Sequence, residues 1–130
     1  MSAASDFLEN ALLDHVLTAT SYTAPGTRYL GLFTAVTGLE TNTPSAEVSG
    51  GSYARQAVTF AAASSGTSAT NATVTFPAAT ANWGTITHVA VMDASTSGNV
   101  LFWGAVTTSK TIENGDTFQV SSGNLTISLA

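Results

Sequence analysis

The chain contains no cysteine. That absence removes disulfides, thiolate catalysis and cysteine-ligated zinc together, and it leaves the redox compartment open. Charge is nearly as scarce, at 8% of 130 residues against about 25% in an ordinary soluble domain. Only Arg28, Arg55 and Lys110 are cations, and the net charge is −5. A nucleic-acid partner needs a basic face, which these residues cannot supply. Anionic membranes are disfavoured for the same reason. No apolar run approaches the ~20 residues of a membrane span. No charged stretch leads into an apolar one, so no export signal is expected.

What is present is 44% hydrophobic residues, with Ser and Thr in the places that Lys and Glu usually hold. The length fits one domain, residues 1–130, which buries roughly two-thirds of its extended surface. Thr suits a pleated, half-exposed surface and hydroxyls suit turns, so the composition points to β structure and away from disorder. An exterior of hydroxyls with little charge also suits assembly, because covering it costs little desolvation.

The fold organises around Val74 to Asp93 (VTFPAATANWGTITHVAVMD). Val74 and Phe76 alternate with Thr73 and Thr75, the period of a half-buried strand, and Pro77 ends the ladder by removing a donor. Thr85 to Met92 is β-branched and apolar on both parities, which predicts a central strand covered on two faces.

Elsewhere the pattern is readable in chain order. Met1 to Ala4 is a short run of small residues, expected either to be mobile or to clamp a neighbour. Asp6 and Glu9 mark a helix start, and Leu8, Leu12 and Val16 recur at helical spacing. This predicts a helix over Asp6 to Leu17 with its leucine stripe on the sheet. Strands are expected over Arg28 to Ala35, Tyr53 to Phe60, Val100 to Val106, Thr117 to Val120 and Leu125 to Leu129, and a hairpin turn over Asp93 to Asn99. Ala61 to Asn71 is small and polar and reads as a surface loop or an irregular edge. Thr37 to Ser52 is long for a connection in one domain, and such loops carry function or move. The expected fold is mainly β: an antiparallel sandwich or compressed barrel of about seven strands with one N-terminal helix.

The chemistry-bearing residues do not assemble into a site motif. His15 and His88 fit structural roles, no zinc-binding histidine pair occurs, and no G-x-S-x-G marks a nucleophile. Carboxylates Glu40, Glu47, Asp93, Glu113 and Asp116 lack calcium-loop spacing. The chain is therefore expected to be non-enzymatic, without cofactor or metal. Trp83 and Trp103 are either core anchors or exposed interface rings. Trp83, between small residues and a glycine, is expected to be the more exposed. Arg55 is either a surface charge or an interface anchor. The candidate interface residues are thus Tyr53, Arg55, Trp83, Glu40 and Glu47.

Four stretches, SDFLENALLDHVL, YLGLFTA, EVSGGSYARQAVTF and VTFPAATANWGTITHVAVMDA, resemble a family of small tailed-bacteriophage virion proteins. These are commonly labelled tail fibre proteins, and some relatives decorate the head. The resemblance covers Ser5 to about Ala94, and SGGSYARQAVTF and NWGTITHVA are its most specific pieces. It implies a structural virion protein in many copies, a homotrimer with the major capsid protein and other virion proteins as partners. On that basis a capsid decoration (cement) protein that bridges capsomers is expected, with the N-terminal segment and the Thr37 to Ser52 loop in contact with neighbours. The alternative is a tail fibre component that presents Trp83, Tyr53 and loop hydroxyls to a host glycan.

Overall fold

Arg28–Phe33 (β2) and Gly84–Met92 (β6) are apolar on both parities and pair antiparallel, from Tyr29 with Met92 to Phe33 with His88. In the computed structural model, which describes residues 3–129, they lie at the centre of a five-stranded sheet. The other strands are Ala3–Ala4 (β1), Gln56–Val58 (β3) and Val100–Ile112 (β7), in the order β1-β7-β6-β2-β3. A second layer consists of two strand pairs: Thr67–Ala69 (β4) with Thr126–Ser128 (β9), and Val74–Thr75 (β5) with Gln119–Val120 (β8). Every pairing is antiparallel, and the sheets form a sandwich that does not close into a barrel.

The central strands have two covered faces, as their composition requires. Leu30, Leu32, Val89 and Val91 join Phe76, Ile112 and Phe118 in the main core between the layers. Phe33, Ala90, Met92 and Val100 form a second cluster on the opposite face, closed by Leu39 and partly by Trp103. Leu39 comes from the 37–52 connection, so that segment is long because it roofs the outer face of the sheet.

The helix Asp6–Leu17 (α1) begins and ends where the periodicity placed it. Ser5 caps it: its Oγ accepts from Leu8 N–H at 3.3 Å and donates to the Val100 carbonyl, which ties the helix start to β7. The leucine stripe departs from expectation. Leu8 is buried and Leu12 packs against the main core, but Leu13, Val16 and Leu17 are 56%, 74% and 73% exposed. The helix meets the sheet chiefly at β7 and β1, and its last turns stand largely open to solvent.

Three further features have local causes. Ala3–Ala4 pairs with Phe102 and Trp103 of its own β7 instead of extending to a neighbour; Met1 and Ser2 lie outside the described residues. Ala61 to Asn71 contains β4, whose short run of small residues carries no alternating apolar signal. β7 continues to Ile112 through a bulge. Ile86 pairs with Lys110 and His88 with Ala105, so Thr87 alone faces the four residues from Val106 to Ser109. A bulge of this kind bends the strand and frees backbone groups.

Candidate functional site

Four of the five candidate residues meet in one internal knot. The end of the long connection pairs with β2 through Val48 N–H to the Leu32 carbonyl (3.0 Å) and a Phe33–Glu47 bridge, which sets the Glu47 carboxylate beside the strand. Arg55 approaches it bidentately, Nε to Oε2 and Nη2 to Oε1, both at 2.7 Å. Tyr53 donates its hydroxyl to the same Oε2 at 2.6 Å and accepts Leu32 N–H at 3.0 Å. Gly31 makes room: a Cβ there would lie 3.1 Å from Glu47 Oε2 and 3.4 Å from the Tyr53 hydroxyl. The third arm of Arg55, Nη1, donates to the Ala94 and Ser97 carbonyls at 2.8 and 2.7 Å. One guanidinium therefore joins the long connection, the start of β3 and the β6–β7 turn.

The electrostatics follow from burial. The Arg55 side chain is 6% exposed and that of Glu47 25%. The hydrogen bonds that Arg55 donates to Glu47 raise the already high pKa of the guanidinium, against the opposing effect of burial. Burial pushes the Tyr53 hydroxyl well up, and the bond to Glu47 adds to it. Arg55, expected as a surface charge or an interface anchor, spends its donors inside the chain.

Trp83 corrects the sequence reading. It is 6% exposed and buried in the main core, not the more exposed ring. Its indole N–H donates to the Gly51 carbonyl at 2.9 Å, and its ring meets Tyr53 edge-on at 5.4 Å. Tyr53 in turn stacks on Phe76 at 6.1 Å. Gly51 has φ +58°, and a Cβ there would stand 2.8 Å from the indole nitrogen. The small residues around Trp83 are a socket for the ring, which local sequence alone did not distinguish from an exposed loop.

Glu40 lies elsewhere, at the N-terminus of α1. Its main-chain carbonyl accepts Asp6 N–H at 2.8 Å and its carboxylate accepts the Trp103 indole N–H at 3.1 Å. Asp6, Glu9 and Glu40 bring carboxylate oxygens within 4.8 Å of one another. Partial burial raises the Glu40 carboxyl above its usual range, the Asp6 carboxyl adds to that by hydrogen bonding, and the Trp103 N–H opposes it. The histidines are engaged separately. His15 Nδ1 accepts Tyr22 N–H at 3.1 Å, and His88 Nδ1 lies 2.9 Å from Thr87 Oγ1 with its ring tilted against Trp103.

Two surface features escaped sequence reasoning. One is the exposed apolar end of α1. The other is a cleft of about 470 Å³ between β6 and β7 on one side and the segment 118–127 on the other. Phe102, Val106, Val120 and Leu125, all only partly buried, line it, and the bulged Thr107 and Thr108 form its rim. Among the described residues, none that is charged lines the cleft. The alternation of β7 gives a signal for half of it, but the facing layer is joined only by the fold.

The sandwich, its N-terminal helix and its roofed outer face together span almost the whole chain, and so does the match to known sequences. The family described as Podophage GP4 fiber I protein gp80 matches residues 3–128. The chain belongs to this family. No curated protein matches it. Membership makes the chain a structural protein of a tailed-phage virion and agrees with the resemblance carried by SGGSYARQAVTF and NWGTITHVA. Among the described residues, no helix is long and apolar enough to cross a membrane.

Proposed function

We propose that the chain is a non-enzymatic subunit of a phage fibre, present in several copies and acting by binding alone. The observation that carries this reading is the match over residues 3–128 to a family whose description names a fibre. A binding role also suits the way the knot spends its reactive groups. Glu47, Tyr53 and Arg55 complete one another's hydrogen bonds, which leaves a rigid scaffold whose loops and clefts present contacts. The partners are other virion proteins and further copies of the chain, with a trimer as the expected stoichiometry. The low charge of the exterior lowers the desolvation cost of such contacts.

The test is location. Particles carrying a labelled copy of the chain are imaged: label at the tail supports the fibre reading. Label spread over the head would replace it with the capsid decoration role, in which weak contacts to several capsomers add up multivalently. Isolated protein that blocks phage adsorption would further support a role in host recognition.

A further inference from the structure

We propose that the exposed apolar end of α1 in one copy seats in the cleft beside β7 of a second copy, giving a head-to-tail contact between identical chains. The proposal takes its choice of occupant from the multi-copy reading above; the surfaces themselves come from the fold.

Three observations converge on it. The first is fit. A dry cavity of about 150 Å³ holds one benzene-sized group, so a cleft of about 470 Å³ takes about three apolar side chains. The helix end offers three, Leu13, Val16 and Leu17, each more than half exposed. Single exposed apolar residues are ordinary, but three on the last turns of one helix form a patch that calls for cover. Their own molecule does not supply it, because Ser5 and Leu8 fasten the other end of the helix to the sandwich.

The second is charge. Copies with a net charge of −5 repel, so contact is cheapest between surfaces without carboxylates, and the cleft lining contains none. Lys110 is the one lysine or arginine among the described residues whose side chain makes no hydrogen bond or ion pair, since Arg28 binds the Pro25 carbonyl and Arg55 is held in the knot. It pairs across the ladder with Ile86, a main-core residue, and so stands on the sheet face that carries the cleft. The incoming helix end brings the exposed Asp14 and the negative end of the helix dipole, both of which favour a lysine nearby.

The third is access. Among the described residues, nothing pairs with the outer edge of β7 beyond Trp103, and the bulge from Val106 to Ser109 holds the rim open. A helix end therefore enters without displacing any strand. The two surfaces differ, so the contact is heterologous and propagates until rotation closes a ring. Closure at three would give the trimer.

Sedimentation of the isolated full chain over a concentration series tests the idea. Wild type is expected to associate reversibly. Replacing Leu13, Val16 and Leu17 together by Ser weakens association by at least about a hundredfold, judged from the transfer free energies of the buried side chains. Thr108→Trp, which plugs the rim, does the same. Circular dichroism confirms that both variants fold. Mixed together, the two variants form a one-to-one dimer that grows no further, because each supplies the surface the other lacks. Asp14→Lys and Lys110→Glu each weaken association, and the double exchange restores it. The proposal is overturned if wild type stays monomeric throughout, if the triple serine variant associates like wild type, or if the mixture forms no dimer. None of these results bears on where the chain sits in the particle, which the imaging experiment decides separately.

Discussion

The connection over residues 37–52 and the second half of α1 are opposites. The connection is irregular, yet Leu39 is fully buried, Val48 is bonded to β2, and Glu47 is locked by Arg55 and Tyr53. The helix end is regular, yet Leu13, Val16 and Leu17 are each more than half exposed. Regular hydrogen bonding and tertiary anchoring are thus independent. The backbone of the connection is held by what its side chains reach, whereas the helix satisfies its own backbone and leaves its side chains free for another molecule.

The largest expected effect is in the connection. Leu39→Ala opens the roof over Phe33 and Met92 and should cost about 3 kcal/mol, as large-to-small substitutions in a core do; urea denaturation measures it. A loss under about 1 kcal/mol would mean that the connection is a passive tether. Arg55→Ala strands the Glu47 carboxylate and two turn carbonyls and should cost about 2–3 kcal/mol by the same measurement. Because it releases the 93–99 turn as well as the connection, amide exchange should quicken in both segments together.

Smaller still is the effect of Glu40 at the seam between the connection and the start of α1. Its carboxyl keeps its proton to a higher pH in the folded chain than in the unfolded one. Over that interval the folded state binds more protons, so stability falls as pH rises. Glu40→Gln removes the dependence, and its urea midpoint should gain on wild type as pH rises above the ordinary carboxylate range near ~4. A difference independent of pH would leave the residue no titration in this range. Least affected should be the helix end. Ser at positions 13, 16 and 17 should change the stability of the isolated monomer by under about 0.5 kcal/mol per site. A larger loss would place those side chains in contacts within their own fold.

The difference between the two regions also explains what the sequence revealed. The helix bounds were legible because Asp6, Glu9 and the leucine spacing are local signals, and the central strand because Val89 to Met92 is apolar on both parities. The destination of the helix stripe was not legible. Amphipathicity says that a face is apolar, not that the sheet extends far enough to meet it. The Arg55 knot was hidden for a related reason: its partners lie 8, 39 and 42 positions away, and only the pairing of β2, β3 and β6 brings them together. Trp83 was misjudged because small neighbours suit both a surface turn and a tight socket, and Gly51, which decides between them, is 32 positions upstream. Tyr53, Arg55, Trp83 and Glu47, named from sequence as interface candidates, are joined to one another by hydrogen bonds and ring contacts within the chain.

The knot has one more consequence, for digestion. An enzyme that cuts after basic side chains has only three such residues to recognise in 130. One is Arg55, hidden behind Glu47; another is Arg28, half-buried at the first rung of β2. That leaves Lys110 on the bent arm of β7, and a neighbour seated in the adjoining cleft would shade it too. A protease of trypsin-like specificity would therefore find almost nothing to cut in the folded chain.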